Sequence, residues 1–423
     1  MKFHSAAQPL EAPATPLAHL ISVDGSARID RRRLLGVSAL LYVPLCLLGV
    51  LLLTGPARAF FAAEGLRWAH VLCLAFCLSF GTVPPVAWLA RRFGILDAPD
   101  GRKLHARPTP LLGGTAVFIG FAVALLANGT MTPELLVILS AALILFVTGV
   151  CDDWREVPAG VKLSIQFVCT LIVMAAGVVL RVLPEHLAYW AWIGNGLLTL
   201  MWIIGITNAM NFFDGMDGLA AGLGAIIGFF LAAVAYQTDQ PFLGWIALAV
   251  MGACLGFLPF NFRRGQAAGI FLGDAGSTVI GFVLACIAVY GDWAEGRPLV
   301  SLVSPVLIFW LLIFDMVHTS IERIATGKVS SVRAWLEYVG KDHLHHRLAE
   351  ALGSTRGSVL FIFLMGIGLG ISALMLRYTS DEGGLLLMLQ AGILVVLVTV
   401  LERRSRSLPD NGQPSPGRLR RAR

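Results

Sequence analysis

The sequence predicts an all-α polytopic membrane protein with about eleven to twelve transmembrane helices and its polar, chemistry-bearing residues in cytoplasmic loops. Three observations predict it. Of the 423 residues, 57% are hydrophobic and only 14% charged, whereas a soluble domain carries about a quarter charged residues. The apolar residues gather into runs near the ~17–25 residues that a bilayer span needs. When those runs are counted off alternately, the Lys and Arg between them fall almost wholly on one side.

The runs lie near 34–54, 68–90, 112–128, 134–151, 163–181, 187–206, 217–236, 241–260, 275–291, 299–319, 358–377 and 383–401. Residues 1–33 precede them as a polar, Pro/Ala-rich arm that lacks the compact basic–apolar–small pattern of a cleaved signal peptide. The arm is expected to be disordered and the first run to be retained behind Arg31-Arg32-Arg33. Residues 34–67 then form an additional N-terminal transmembrane helix and loop, 68–401 the main transmembrane domain, and 402–423 a basic, disordered tail.

With both termini cytoplasmic, the inner gaps hold Arg91, Arg92, Lys162, Arg263, Arg264 and Arg323 among others. The outer face keeps only Arg58, Arg67, Arg181, Arg297 and Arg377. The net charge of +6 is therefore an orientation signal and not a nucleic-acid footprint. None of the seven cysteines forms a CxxC pair, so neither a disulfide framework nor a zinc site is indicated. They read as small buried hydrophobes. The sequence admits a homodimer without specifying one.

The chain is organised around Thr207-Asn-Ala-Met-Asn-Phe-Phe-Asp-Gly-Met-Asp-Gly218, between two apolar runs. Asn208, Asn211, Asp214 and Asp217 recur every third residue. On an α-helix this step leaves a slanting row, each side chain turned back about 60°, and on a 3₁₀ turn the four align. Carboxylates and amides between membrane-length runs are costly unless paired, wet or bound to a cation, so by default they mark a functional site.

Further polar clusters fall on the same side. Asp152 and Asp153 end the fourth run, where adjacent carboxylates stay ionised only near water, a cation or a base such as Lys162. Such a pair also occurs as plain surface decoration. Phe271-Leu-Gly-Asp-Ala-Gly-Ser277 flanks Asp274 with glycines, and Ser277 is expected to cap the next helix. Asp274 is the foremost candidate for a Mg²⁺ ligand, since hard cations prefer oxygen donors.

Lys341-Asp-His-Leu-His-His-Arg347 supplies His343, His345, His346 and Arg347, a set suited to a phosphate dianion. Transition-metal ligation and a solvated loop are the alternatives. Lys103, His105 and Arg107 follow Gly101 in a basic, Pro-rich stretch that either holds a second phosphate or is a positive-inside loop. Asp315, late in a run beside His318, reads as a buried partner of His318 or Arg323. A transporter is expected to place such residues near the midplane. Their gathering at one face favours an enzyme, and carboxylates with basic groups at a membrane surface favour phosphoryl transfer with one lipid-borne reactant.

At these residues the chain resembles the polyprenyl-phosphate N-acetylhexosamine-1-phosphate transferases. The resemblance spans roughly residues 84–350 and rests on RKLHARPTPLLGG, CDDW with Lys162 beyond, NAMNFFDGMDGLAAG, FLGDAGS and HLHHRL in that order. The last motif is similar to the branch that initiates O-antigen and teichoic acid synthesis, more than to the peptidoglycan translocase.

The resemblance implies transfer of N-acetylhexosamine-1-phosphate from a UDP-N-acetylhexosamine to a polyprenyl (undecaprenyl) phosphate at the bacterial inner membrane. UDP-GlcNAc is the first expectation, and UMP is released. It implies Mg²⁺, with Mn²⁺ as a substitute, and Asp274 as metal ligand. It places Asp152 and Asp153 at the lipid phosphate, one of them as base. Asp214, Asn208 and Asn211 would border the ribose and diphosphate, and Asp217 and Lys103 would hold the uridine. Phe271 would stack on uracil, Asn261 would lie at the base pocket, and His345, His346 and Arg347 would face the diphosphate and sugar. Two departures stand out: the extra run at 34–54 and a longer loop with Val329–Gly340 as added sequence. The competing classes are a lipid phosphotransferase that uses a nucleotide-linked alcohol, whose Asp-Gly/Ala-Arg spacing is missing, and a transporter or export scaffold, which internal repeats would favour.

Overall fold

A computed structural model of the chain describes residues 33–34, 37–98, 108–129, 131–183, 186, 189–293, 298–331, 340, 342–376 and 378–407. The expected Lys103 and His105 contacts, most of the 329–340 insertion, the arm up to residue 32 and the tail from 408 lie outside these residues; 402–407, expected to be disordered, instead extend the last helix to Ser407.

Among the described residues the secondary structure is helical, apart from two short antiparallel ladders. One pairs β1 (Arg33–Leu34) with β2 (Val37–Ser38), and the other pairs β3 (Leu96–Asp97) with β4 (Thr109–Pro110). Fifteen helices follow among the described residues. They are α1 (Ala39–Leu52), α2 (Gly55–Ala63), α3 (Arg67–Phe93), α4 (Gly113–Asn128), α5 (Pro133–Trp154), α6 (Ala159–Ala175), α7 (Tyr189–Phe212) and α8 (Leu219–Gln237). After them come α9 (Pro241–Asn261), α10 (Gly273–Tyr290), α11 (Pro298–Ile308), α12 (Trp310–Ala325), α13 (Leu344–Leu352), α14 (Thr355–Leu376) and α15 (Asp381–Ser407). Eight are long and apolar enough to cross a membrane: α3, α5, α7, α8, α9, α10, α14 and α15. The shorter apolar α4 and α6 and two bent pairs, α1–α2 and α11–α12, account for the remaining predicted runs.

The two bent pairs differ from the single spans that the sequence predicts. Between α1 and α2 the chain turns by 77°. A new helix starts there because Thr54 accepts the Ala57 N–H and Pro56 suits a first turn. Between α11 and α12 it turns by 76°. Beyond the turn the sequence carries Asp315, His318, Glu322 and Arg323, which a straight span would carry into lipid.

Helix α10 is the axis of the bundle, contacted by α5 and α7 and by α4, α8 and α9, with α3 packed on α4 and α9. It is the most buried of the candidate spans. Gly149 on α5 permits the approach, because a Cβ there would meet the Ala275 backbone at 2.4 Å. The outward faces of α1, α5, α6, α14 and α15 expose large apolar residues such as Leu47, Val147, Val168, Leu364 and Leu389, as lipid-facing helices do. Cys77, Cys169, Cys254 and Cys286 are buried as expected, whereas Cys73 and Cys151 are exposed on this apolar surface.

The additional N-terminal segment is built into the bundle. Helix α3 runs unbroken through Pro84 and Pro85, yet Pro85 has no N–H for the carbonyl of Gly81, four residues before it. Tyr42 of α1 donates its hydroxyl to that carbonyl at 2.7 Å. The ring Nε2 of His70 meets the Leu52 carbonyl at the end of α1, at 2.8 Å.

Candidate active site

Polar side chains from α5, α6, α7, α10 and the 213–218 turn converge at one end of the bundle. Lys162, one turn into α6, donates to Asp152 Oδ2 and to Asp274 Oδ2, each at 2.9 Å. Asp152 Oδ1 accepts the Val157 N–H at 2.7 Å, which fixes the α5–α6 connection. Asn211 Nδ2 reaches Asp274 Oδ1 at 3.1 Å and Ser277 Oγ at 2.9 Å. Asp274 therefore meets an ammonium on one oxygen and an amide on the other.

Adjacent Asp152 and Asp153 have different partners. Asp153 accepts the backbone N–H groups of Asp274 and Ala275, at 2.8 and 3.3 Å. These are among the donors that a helix start leaves without intrahelical partners, and the positive end of its dipole favours a carboxylate. The Gly273 N–H at the same helix start favours the charged form of Asp214, though less than burial opposes it. Gly273 has φ +76°, and a Cβ on it would lie 2.6 Å from Asp153 Oδ2. Ser277, expected as the helix cap, lies inside α10 and donates to the Gly273 carbonyl. The capping role falls to Asp153 from another helix.

The row of four residues is split by the end of α7 at Phe212. Asn208 exchanges hydrogen bonds with Gln166 on α6, Nδ2 to Oε1 at 2.6 Å, and does not turn toward Asp274. Asp214 and Asp217 leave the helical row in the turn, where Asp217 accepts the Ala268 N–H at 2.8 Å. Asn261, expected at a base pocket, is buried as a backbone clamp. It accepts from Gly218 N–H at 2.7 Å and donates to the Ile270 carbonyl at 2.9 Å. Phe271 is held through its backbone, bonded to Pro110 and Gly113, and remains half-buried beside Asp274.

The HLHHR segment packs against the same turn. His343 is not available to a ligand through either ring nitrogen, since Nδ1 faces Asp315 Oδ2 at 2.7 Å and Nε2 faces Arg323 Nη2 at 3.3 Å. Arg323 is also bidentate to Asp342. Arg347 is buried and meets His318 and Glu322, with Asp315 at 3.8 Å. Asp315 is thus the partner of His343, where the sequence pointed to His318 or Arg323. His345 is 1% exposed and neither ring nitrogen has a hydrogen-bond partner. The His346 ring lies tilted at 43° beside it, with ring centroids 4.2 Å apart.

Burial, with Asp274 and Asp153 nearby, raises the Asp214 carboxyl well above its ordinary range. Burial, with His346 beside it, lowers His345 to about 3, so its imidazole is neutral at physiological pH.

Among the described residues no three His, Cys, Asp or Glu side chains form a metal-binding cluster. What is present is an oxygen set, Asp152 and Asp274, bridged by the Lys162 ammonium. Such a set fits a hard divalent cation, which takes one or two carboxylates and completes its shell with phosphate oxygens and water.

A multi-pass helical bundle with this acidic–basic site at one end defines an integral membrane protein equipped to handle phosphate groups. Residues 135–292 match the glycosyl transferase family 4. A probable undecaprenyl-phosphate N-acetylglucosaminyl 1-phosphate transferase of Bacillus subtilis is 34% identical over 316 residues, which cover 72% of this chain and 85% of that protein. A decaprenyl-phosphate N-acetylglucosaminephosphotransferase of Mycolicibacterium smegmatis is 32% identical, over 77% of this chain and 86% of the relative. An undecaprenyl-phosphate alpha-N-acetylglucosaminyl 1-phosphate transferase of Escherichia coli is 26% identical, over 69% and 79%. The chain belongs to glycosyl transferase family 4.

Proposed function

We propose that the protein transfers N-acetylglucosamine-1-phosphate from UDP-GlcNAc to a polyprenyl phosphate at the bacterial inner membrane, with the site facing the cytoplasm. The relatives' names supply the sugar and the lipid class. The observation that carries the reading is the meeting of Asp152, Lys162, Asn211 and Asp274 from four helices at one end of a lipid-facing bundle. A lipid phosphate at the headgroup level can reach that end while its chain stays among the helices' apolar faces.

In the reaction an oxygen of the lipid phosphate bonds to the β-phosphorus of the UDP-sugar. The bond from that phosphorus to the bridging oxygen breaks, and UMP leaves with the electron pair. One phosphoanhydride replaces another, so no ATP is consumed. Such transfers depend on positioning and on neutralising phosphate charge. Mg²⁺, or Mn²⁺ in its place, would supply part of that neutralisation at Asp274 and Asp152. Lys162 offers a cationic donor to the lipid phosphate. Asn211 and the capped start of α10 hold Asp274 in place, and Asp214 is suited to carry a proton. Neutral His345 can donate or accept a hydrogen bond at the diphosphate.

Membranes containing the protein are to be incubated with polyprenyl phosphate, a panel of labelled UDP-sugars, and Mg²⁺, Mn²⁺ or a chelator. A lipid-linked product from UDP-GlcNAc, stoichiometric UMP and loss of both with the chelator are expected. Failure of every UDP-sugar would end this reading, and product from another UDP-N-acetyl sugar alone would change the donor.

A further inference from the structure

Asp315 is 0% exposed on α12, in a helix that bends 76° away from α11 just before it. A carboxylate so placed is costly unless its oxygens are used. Both oxygens reach the start of α13, and Oδ1 also accepts the Thr319 hydroxyl of its own helix at 3.3 Å. Oδ1 accepts the Leu344 N–H at 2.6 Å, and Oδ2 faces His343 Nδ1 at 2.7 Å. The pairing fixes the His343 tautomer. Arg323 Nη2 carries only protons toward His343 Nε2, so Nε2 accepts and the ring proton sits on Nδ1, pointing at Asp315.

Two residues further on, the imidazole of His345 lies against the 213–218 turn. A Cβ on Gly215 would be 2.6 Å from its Nε2, and the Phe213 ring centroid is 5.6 Å away. The turn carries Asp214 and Asp217. A continuous chain of contacts thus runs from Asp315 through the first turn of α13 to the turn that carries Asp214.

We propose that Asp315 is a positioning residue. By holding His343 and the Leu344 N–H it sets the pose of α13, and so presents His345 to the turn that carries Asp214. The proposal rests on the transferase reading in one respect only, that His345 acts on the sugar diphosphate. Asp315 touches no reacting atom.

The test uses the full-length protein in membranes or nanodiscs. Asp315→Asn keeps an acceptor for Leu344 but can turn an amide N–H₂ toward the ring proton of His343. Hydrogen–deuterium exchange is expected to become at least about tenfold faster in peptides from both 342–352 and 209–218. Turnover with UDP-GlcNAc is expected to fall about 10²-fold, as for misplaced catalytic groups generally, with KM little changed. Combining Asp315→Asn with His345→Ala is expected to cost no more than His345→Ala alone, because the two act in series. If Asp315→Asn does not accumulate, His343→Gln breaks the link from its other end and is read in the same assays.

Faster exchange in 342–352 with 209–218 unchanged would overturn the proposal, as would losses that multiply in the double variant. A wild-type protein that makes no lipid-linked product would instead count against the transferase reading, and the exchange measurement would still decide whether Asp315 links α13 to the turn.

Discussion

Asp153 and Asp274 are joined end to end: the carboxylate of the first accepts the backbone N–H of the second, at 2.8 Å. The residue that best fits a divalent ion is thus held by its main chain from α5, while its side chain is held by Lys162 and Asn211. Position and charge at Asp274 are controlled separately.

Asp274→Asn is expected to lower transfer to background, below roughly a thousandth of wild type, since it removes charge where phosphate and cation would meet. The protein should still insert and elute normally on size exclusion. Near-normal turnover would remove Asp274 from the cation site.

Lys162→Met leaves Asp152 and Asp274 without their shared ammonium. Activity is expected to fall about 10²-fold or more, and thermal stability without divalent ions to drop. Added Mg²⁺ should restore stability more in the variant than in wild type. A melting curve insensitive to Mg²⁺ in both proteins would contradict this.

Asp214 has its carboxyl raised by burial and by the neighbouring Asp274 and Asp153. A raised folded value means that the group's contribution to stability is complete below the unfolded value of about 3.9 and is lost as pH rises through the folded one. Asp214→Asn should therefore melt roughly 2 °C or more above wild type at pH 8, with the gap narrowing toward pH 4, while transfer is lost. A gap that widens on acidification would refute the assignment.

His345 has the opposite sign. Its folded value is lowered to about 3, so its contribution is present above the unfolded value of about 6.5 and is lost as pH falls toward 3. His345→Gln should flatten the acid side of the stability curve measured by denaturant at pH 4–7. In wild type, the pH–rate profile between 6 and 8 should show no limb that depends on this residue.

Much of the architecture is legible in residue order alone. Each of the twelve apolar runs is a helix or a bent helix pair, because hydrophobic length is a local property that lipid enforces. The motifs around Asp152, Asn211 and Asp274 also marked side chains that meet in space. Pairing between carboxylates was not legible. Asp152 and Asp153 are neighbours, yet one binds Lys162 and the other closes α10, a distinction made by helix packing 121 residues away in sequence. Asn261 and His343 carried the signature of ligand contacts but are occupied by backbone or buried ion-pair partners. Nothing local distinguishes those uses. The bend before Asp315 was not legible either: residues 299–319 read as one run, and the structure breaks it into two helices at 76°.

The hydroxyl of Tyr42 and the carbonyl of Gly81 bear on how this protein is handled. A shortened form cut to begin at α3, trimmed toward a leaner expression product, would strip the acceptor beside Pro85 of its donor inside an apolar setting, at a cost of about 1–3 kcal/mol. Tyr42→Phe, which keeps the ring and removes the donor, should show the same loss in detergent melting while turnover per folded molecule is unchanged. The leading helix is thus an internal brace, and yield lost on trimming would report a fold left with an unmet carbonyl.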